Sequence, residues 1–383
     1  MNNRNQQPET AMALTGTITM FNVSDADAIL VELHQDGKDL VIVVDGGRKG
    51  DYERCMKGPL REALYKANKK EGEGPDLVIL THYDADHILG ITELVKEYGT
   101  GIGQLWAHSP PEDFTESRSF LEALKGRVIK DQGFFNKRTD ILNEHSMLKE
   151  DHLQDAAVEL LESLPQLREL ERLFQKQTTP VFAGKIYEGW PIKVLGPSQE
   201  YYSNLFQSRK STVDLLITEA LNQKVANAHL IEREARRNMV KARIVEDRDE
   251  ELSPCQELQN VRDRSMSNTN LASIIFSIEA SEGRYLFTGD AGVPSFQKVL
   301  EQDKLEAVHW LKVPHHGSER NLTPELISLM KPQYADCSGG KDYQDDHVLE
   351  CIGKNARSRR KVRSTYWEKK HLQFSIGSAI LGH

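Results

Sequence analysis

The stretch Thr81–Gly90, "THYDADHILG", places His82, Asp84, Asp86 and His87 within six residues, directly after the apolar run "LVIL". Imidazole and carboxylate groups this dense are costly to bring together unless a cation neutralises them. The stretch therefore predicts a metal site. The alternative is a polar helix cap, in which Asp86 serves the start of a helix and the histidines are solvated.

The segments before this motif have the character of buried strands. They read "GTITMFNV", "AILVEL", "DLVIVVDGG" and "DLVILTH", rich in Val, Ile, Leu and Thr and broken by Gly and Asp. After the motif, Ile91, Leu94, Val95 and Tyr98 recur at helical spacing. The polar cluster is thus predicted on a strand-to-helix loop, where functional residues commonly lie.

Two further clusters follow apolar strands about two hundred residues later. One is "FTGD", ending at Asp290, and the other is "KVPHHGS", with His315 and His316. Taken singly, an aspartate after a glycine is typical of an ordinary turn. Three strand ends that all finish in metal-ligand residue types favour one common site.

Between these strand-rich parts lie two long, charged, helix-forming stretches, predicted as helical insertions at 111–178 and 201–264. Leucines at helical spacing between Leu160 and Phe174 form either the core of the first insertion or a dimer interface, and both interpretations stay open. The insertions are also the expected place for a homodimer contact or a partner protein.

Composition narrows the function classes. The chain has 383 residues, 28% of them charged and a formal net charge of −9, which is unfavourable for binding nucleic acid by bulk electrostatics alone. The four cysteines form no CxxC pair, so neither a zinc knuckle nor a disulfide scaffold is indicated. No run of eighteen apolar residues and no signal-like start are present. We expect a cytoplasmic protein with no membrane span.

Taken together and in order, "VVDGG", "THYDADH", "LFTGD" and "LKVPHHGS" resemble the metallo-β-lactamase fold, specifically the hydrolase domain of ComEC/Rec2-type DNA-uptake proteins. The segments "NVSDADAILVE" and "NTNLASIIFSIE" extend the resemblance, which covers about 15–110 and 265–380. It implies an α/β fold, an αββα sandwich of two mixed sheets flanked by helices, over residues 15–383. The two helical insertions match no family that we recognise.

The resemblance also implies a ligand set. Asp86 and His87 with His315 would hold one divalent metal ion, His82 and Asp84 would hold a second, and Asp290 would bridge the two. His316 is an alternative to His315, and the sequence does not choose between them. Asp45 in "VVDGG" is expected to brace the site. The remaining candidates with weaker support are His108, Asp345 and His347 as extra ligands, and Asp25 and Asp27 as turn caps.

This chain departs from the family pattern at two ligand positions. Asp84 stands where most of the superfamily has histidine, and Asn270 and Ser273 occupy the segment that usually supplies another histidine ligand. Oxygen ligands shift metal preference away from zinc. The expected cofactors are two divalent ions, zinc or manganese, with magnesium as a further candidate.

The resemblance implies a metal-dependent hydrolase, and the leading hypothesis is a phosphodiesterase or nuclease that cleaves nucleic acid with water activated by the two ions. Asp86 and His316 are the predicted catalytic residues. The predicted substrate-binding residues are Asn270, Ser273, Lys312 and Ser318. Nucleic acid or a nucleotide is the expected substrate, and the basic stretch "RSRRKVRSTYWEKKH" is either a contact for it or a solvated surface.

Three alternatives remain. The first is a phosphodiesterase of small or cyclic nucleotides, with the helical insertions as a lid. The second is a lactonase, thioesterase or β-lactamase, disfavoured because these activities usually accompany the full HxHxDH motif. The third is a non-catalytic subunit of a multiprotein system.

Overall fold

The computed structural model describes residues 14–108, 170, 178–206, 252–262, 264, 266–341, 343–355 and 361–377. The strands in these ranges are β1 Thr15–Met20, β2 Ala28–Gln35, β3 Lys38–Gly46, β4 Leu77–Ile79, β5 Gln104–Trp106, β6 Thr178–Thr179, β7 Ile186–Tyr187, β8 Ile192–Gly196, β9 Ile275–Ala280, β10 Gly283–Phe287, β11 Val308–Lys312, β12 Tyr334–Cys337, β13 Val362–Ser364 and β14 Leu372–Ile376.

These strands form two mixed sheets. Sheet 1 has the order β14-β1-β2-β3-β4-β5-β6, and sheet 2 has the order β13-β12-β11-β10-β9-β8-β7. In sheet 1 the pairs from β14 to β3 are antiparallel and those from β3 to β6 are parallel. In sheet 2 the pairs from β7 to β10 are antiparallel and those from β10 to β13 are parallel. Each sheet therefore brings the carboxyl ends of parallel strands to one edge.

The helices are α1 Lys57–Lys66, α2 Ala85–Tyr98, α3 Gln199–Phe206, α4 Pro254–Gln259, α5 Asn268–Leu271, α6 Val293–Leu300, α7 Pro324–Met330, α8 Asp346–Asn355 and α9 Thr365–Glu368. A π-helical turn, Tyr52–Met56, leads into α1, and 3₁₀ turns span Gly99–Gly101 and His315–Gly317. Among the described residues, no helix combines the length and apolar character needed to cross a bilayer.

The alternation of side chains along β3 shows why the molecule is layered. Leu40, Ile42 and Val44 face the core between the two sheets, whereas Val41 and Val43 face the core beneath α1 and α2. Because successive strand residues point to opposite faces, an unbroken apolar run must be covered on both sides. A third core packs α6, α7 and α8 on the outer face of sheet 2. The expected αββα sandwich is therefore confirmed.

A close approach of two glycines sets α2 against the end of β3. A Cβ atom on Gly90 would lie 1.8 Å from Gly46 O, and one on Gly46 would lie 2.3 Å from the Ile91 backbone nitrogen. Neither position tolerates a side chain, since real Cβ contacts do not come this close. This packing places the polar loop before α2 beside the end of β3.

Most of the predicted strands are present, and the predicted turn at "SEGR" lies in the β9–β10 hairpin. The predicted insertions 111–178 and 201–264 lie largely outside the described residues, as does most of the leucine pattern between Leu160 and Phe174. One finding differs from the sequence-based picture, since Cys255 and Cys351 are joined by a disulfide that links α4 to α8. The basic stretch near the C-terminus contributes strand β13, which agrees with the alternative of a solvated strand-and-turn surface.

Candidate metal centre

The Nε2 atoms of four histidines surround one carboxylate oxygen, Asp290 Oδ2. The distances from this oxygen are 3.4 Å to His87, 3.6 Å to His315, 3.7 Å to His316 and 3.9 Å to His82. Two ligands of one zinc ion at about 2.1 Å and tetrahedral angles lie roughly 3.3–3.6 Å apart. The side chains are therefore spaced as ligands around a shared centre.

On the side of sheet 1, Asp45 holds the loop that carries the motif. Asp45 accepts hydrogen bonds from the Thr81 backbone N–H at 2.8 Å and from the Thr81 hydroxyl at 2.7 Å. It also accepts from His87 Nδ1 at 2.9 Å. With the proton on Nδ1, the lone pair on Nε2 of His87 points toward Asp290. Metal-ligating imidazoles are commonly supported in this way by a carboxylate on the other ring nitrogen.

His82 is oriented from both sheets. Its Nδ1 lies 3.1 Å from the Thr81 hydroxyl and 3.4 Å from the Ser273 hydroxyl. Because the Thr81 hydroxyl donates to Asp45, its oxygen is free to accept from His82. Ser273 in turn accepts a hydrogen bond from the Asp290 backbone N–H at 3.1 Å. Ser273, a predicted substrate-binding residue, is thus buried between two of the candidate ligands.

On the side of sheet 2, His315 and His316 each donate through Nδ1. His316 Nδ1 lies 3.0 Å from Ser338 O, and His315 Nδ1 lies 3.2 Å from Asn321 Oδ1. The amide nitrogen of Asn321 donates to the carbonyls of Asp290 and Ala291, each at 3.0 Å, which fixes the amide with its oxygen toward His315. Every histidine around Asp290 therefore has Nδ1 engaged and Nε2 facing the centre.

A buried ion pair lies behind Asp290. Lys312 Nζ contacts Asp27 Oδ2, donates to Gly289 O at 2.9 Å and lies 3.6 Å from Asp290 Oδ1. Both Lys312 and Asp27 are almost completely enclosed, and Ser338 donates its hydroxyl to the second oxygen of Asp27. Lys312, a predicted substrate-binding residue, is thus buried beside the Asp290 carboxylate, which its charge braces.

Several residues of the centre have left-handed backbone conformations. The φ angles are 53° at Asp45, 46° at His315 and 53° at His316. Such values are uncommon for residues other than glycine and concentrate at functional sites, where surrounding contacts enforce them. At Gly289, with φ of 50°, a Cβ atom would lie 2.8 Å from Thr81 Cβ. The end of β10 can therefore approach the end of β4 only with glycine here.

The donor set fits divalent cations. The Nε2 atoms of His82, His87 and His316, together with Asp84 Oδ1 and Asp290 Oδ1, are buried and form no hydrogen bond within the part of the chain that the structure describes. Buried polar atoms without partners are costly, so convergent ones indicate a ligand that is bound there. Two groups have ligand atoms within 4.8 Å of one another: His82, His87 and Asp290, and Asp86, His87 and His316.

The second of these groups bears on the choice between the adjacent histidines. His316 Nε2 lies 3.5 Å from Asp86 Oδ2, and Asp86 Oδ1 lies 3.9 Å from His87 Nε2. His315 instead faces Asp290 and Asn321. The geometry therefore favours His316 as the partner of Asp86 and His87, while His82 and Asp84 face each other at 3.6 Å.

The charges of the centre are strongly coupled. Burial by itself raises the pKa of Asp86, but His87 and His316 outweigh it and hold that pKa below its usual range. Burial lowers the pKa of His87, yet Asp290 and Asp45 raise it well above the ordinary value. The pKa of His316 is likewise raised, because Asp290 and Asp86 outweigh burial. Cations of either kind, protons or metal ions, are therefore favoured here.

The remaining predicted site residues lie in other surroundings. Ser318 is buried at the end of the 3₁₀ turn, and Asn270 is buried in α5, where its backbone N–H donates to Ser267. His108 donates from Nε2 to Val181 O at 2.6 Å, so the same nitrogen cannot also bind a metal. Asp345 and His347 belong to a separate cluster with Glu319.

Sequence reasoning missed two residues at the edge of the centre. Arg48 Nη2 lies 3.7 Å from Asp86 Oδ2, and the ring of Tyr343 lies 5.3 Å from that of His315 and 5.9 Å from that of His316. Arg48 directly follows "VVDGG" in the sequence, and this position was the one signal that could have identified it as a residue of the centre. Tyr343 comes from the segment "CSGGKDYQDDH", whose course could not be predicted.

Part of the sequence is similar to a known protein family. Residues 22–150 match the metallo-beta-lactamase superfamily. No curated protein matches the chain. The solved structures that it resembles include AidC, a dizinc quorum-quenching lactonase in complex with a product, N-hexnoyl-L-homoserine, with 10% sequence identity and a TM-score of 0.28. That alignment covers 69% of this chain and 56% of AidC, so the chain spans little more than half of the AidC structure.

The matched region contains Asp45, His82, Asp84, Asp86 and His87. The sequence of this region is therefore similar to that of the metallo-beta-lactamase superfamily.

Proposed function

We propose that the protein is a metal-dependent phosphodiesterase that cleaves nucleic acid, the activity implied by its ComEC-like motifs. The observation that carries the proposal is the guanidinium of Arg48 beside Asp86, with a side chain that is 44% exposed. Arg48 also donates to Asp25 O at 3.2 Å, which holds it at the edge of the centre. Guanidinium groups recognise phosphate oxygens, whereas a neutral lactone or thioester offers this cation no anionic partner.

Two divalent cations held by the histidines and aspartates would supply a water of lowered pKa and would neutralise charge on the phosphodiester. The protein's own part is to keep the ligand atoms in place. Asp45, Ser338 and Asn321 bind the Nδ1 sides of His87, His316 and His315, so that little reorganisation is needed when substrate enters.

The proposed role of Asp86 is to orient the attacking water. Its Oδ2 lies 3.5 Å from His316 Nε2 and 3.7 Å from Arg48 Nη2, at the border between the buried centre and the exposed guanidinium. The low pKa of Asp86, which His87 and His316 hold down against burial, keeps the carboxylate ionised and able to orient a water proton. His316 and Ser318 are the proposed contacts to the scissile group.

One aromatic ring that could contact the nucleotide lies next to the centre, and two further aromatic side chains are exposed near the C-terminus. The half-buried ring of Tyr343 packs against His315 and His316, and Tyr366 and Trp367 are 44% and 42% exposed. Bases of single strands stack on such rings without sequence preference. We propose that Tyr343 contacts the nucleotide at the cleavage point and that Tyr366 and Trp367 contact its neighbours.

The basic stretch divides into two parts. Arg363 forms two hydrogen bonds with Asp336, at 2.8 and 2.6 Å, and Lys361 Nζ lies 4.7 Å from the centroid of the Tyr334 ring. These two cations therefore hold β13 against β12. Lys369 is exposed and can contact a phosphate backbone, whereas the exposed Lys370 lies 3.2 Å from Glu368 Oε2. Arg357, Arg359 and Arg360 lie outside the described residues.

The test is cleavage of end-labelled single-stranded DNA, double-stranded DNA and RNA by the purified protein with manganese, magnesium or zinc. We expect metal-dependent cleavage that Asp86→Asn abolishes. Asp39→Asn is the matched control, because Asp39 lies at the opposite end of β3 from the centre. No cleavage of any polymer with any metal would contradict the proposal.

Two further arms identify the substrate class. Arg48→Ala is expected to raise KM for a phosphodiester about tenfold or more, in line with the loss of one charge-assisted contact, whereas Arg61→Ala, a surface arginine paired with Glu97, should have no effect. Hydrolysis of a small cyclic nucleotide without polymer cleavage would favour the small-nucleotide alternative. Hydrolysis of a neutral lactone that is insensitive to Arg48→Ala would favour a lactonase.

A further inference from the structure

A second set of metal-ligand residue types lies beyond the 3₁₀ turn that carries His315 and His316. Glu319, Asp345 and His347 place one ligand atom each within 4.8 Å of one another, and we call them the Glu319 cluster. Glu319 follows the turn, Asp345 directly precedes α8, and His347 lies in the first turn of that helix. The cluster is thus built from two segments that are distant in sequence from the His82–His87 loop.

The geometry of His347 is not that of a simple hydrogen bond. Its side chain is 7% exposed, and Nε2 lies 3.0 Å from Glu319 Oε2. Despite this distance, Nε2 is buried and forms no hydrogen bond of acceptable geometry among the described residues. Since a ring N–H lies in the ring plane and must point at its acceptor, a close but misaligned oxygen indicates that both atoms face a third point.

The other side of the imidazole has a supporting carboxylate. Glu257 Oε2, from α4, lies 3.8 Å from His347 Nδ1. A carboxylate on one ring nitrogen with a cation on the other is the usual support of a metal-ligating histidine. At 3.8 Å this carboxylate is beyond hydrogen-bond distance and acts through its charge, which favours a proton on Nδ1 of His347.

Asp345 is fixed in place by the backbone. The Glu319 N–H donates to Asp345 Oδ2 at 2.9 Å, and the Asp345 N–H donates to Gly317 O at 3.0 Å. Asp345 is completely buried. These backbone contacts hold the Asp345 carboxylate within 4.8 Å of the ligand atoms of Glu319 and His347.

We propose that Glu319, Asp345 and His347 bind a further divalent cation, separate from those of the main centre. Two carboxylates and one imidazole form a mixed oxygen and nitrogen donor set that suits Zn²⁺ or Mn²⁺ and has too few oxygens for Ca²⁺. The role of this ion is structural. It ties α8 to the turn at Gly317, and so fixes the backbone on which His315 and His316 stand.

The test is the ion content of the full chain after equilibration with Zn²⁺ or Mn²⁺ alone and removal of free metal. His347→Gln and Glu319→Gln are each expected to bind one ion fewer per chain than the wild type. Asp346→Asn is the matched control, because Asp346 is exposed and contacts Gln344 and Trp367 instead of the cluster. Its ion content should equal that of the wild type.

A second background separates this site from the main centre. With Asp290→Asn present, which removes the shared carboxylate of the main centre, His347→Gln should still lower the ion content by one. Equal ion contents in the wild type and both cluster variants would overturn the proposal. If His347→Gln does not fold, the partly exposed Glu319 decides the matter alone, since equal content in folded Glu319→Gln would overturn it equally. None of these outcomes depends on the substrate of the enzyme.

Discussion

Sheet 1 brings His82, Asp84, Asp86 and His87 to the centre on one loop between β4 and α2, whereas sheet 2 brings Asp290 and His315–His316 on separate loops after β10 and β11. The two contributions also differ in their supports. Asp45, at the end of β3, supports the first loop through neutral and charged hydrogen bonds. The sheet 2 contribution depends on a buried ion pair between Lys312 and Asp27. Asp27 comes from the turn between β1 and β2.

This difference shows two ways of assembling a metal site. The sheet 1 contribution is local, because one loop fixes the relative positions of its ligands. The sheet 2 contribution is non-local, because its ligands reach the centre only when both sheets are packed. Changes on sheet 1 should therefore act mainly on metal affinity, while changes on sheet 2 should act on both metal binding and stability.

The largest expected effect is that of Asp290→Asn. Asp290 Oδ2 faces four imidazoles, whereas Asp86 contacts two, so its loss removes the ligand that the two contributions share. We expect phosphodiester cleavage to fall by about a thousandfold or more, since several kcal/mol of transition-state stabilisation depend on the metals. Steady-state kinetics with parallel metal analysis measures this. Retained activity with full metal content would contradict the shared role.

The support on sheet 2 is tested by Lys312→Met. This substitution leaves Asp27 buried without its cation, and removing one partner of a buried ion pair costs about 3–5 kcal/mol of unfolding free energy. The double variant Asp27→Asn, Lys312→Met should recover part of the loss. Urea denaturation of the metal-free proteins measures all three. A loss below about 1 kcal/mol for Lys312→Met would show that the pair is not needed for stability.

Asp45→Asn tests the support on sheet 1. Asparagine tolerates the left-handed backbone of position 45 and fills the same space, so the change removes chiefly the charge that faces His87. Loss of such a support lowers metal affinity about 10–100-fold. Competition with a chelator measures the affinity, and Asp39→Asn is the control. If Asp45→Asn lowered the unfolding free energy as much as Lys312→Met does, the two supports would not differ in the way described above.

The last prediction concerns His108, which follows β5 much as His82 follows β4. Burial lowers the pKa of His108 to about 4, although Val181 O opposes this. Because the folded pKa lies below the unfolded value of about 6.5, the unfolded state binds the proton first as the pH falls. Stability should therefore decrease between pH of about 6.5 and 4, by about 3 kcal/mol at most.

His108→Phe should remove this part of the pH dependence and leave metal content unchanged, since a phenyl ring can still stack on Phe182. Denaturation curves across the pH range, compared between wild type and variant, provide the measurement. A loss of bound metal in His108→Phe would instead place His108 in the centre.

The fold class and most of the candidate ligands were predictable from the sequence for a physical reason. Buried strands are indicated by local patterns, which depend only on neighbouring residues. Examples are the period-two pattern of β3 and the apolar runs before each polar cluster. Parallel strands deliver their carboxyl ends to one edge, so polar residues at several such ends converge. His82, Asp84, Asp86, His87 and Asp290 followed from this pattern together with the family resemblance.

The remaining features depend on contacts between distant residues. Ser338 meets Asp27 across 311 positions, and Cys255 meets Cys351 across 96. No local pattern marks such pairs, so the sequence did not indicate that Lys312 pairs with Asp27 or that Cys255 bonds to Cys351. Adjacent histidines likewise have the same sequence environment. Only the left-handed turn at 315–316, enforced by tertiary packing, directs His316 toward Asp86 and His315 toward Asn321.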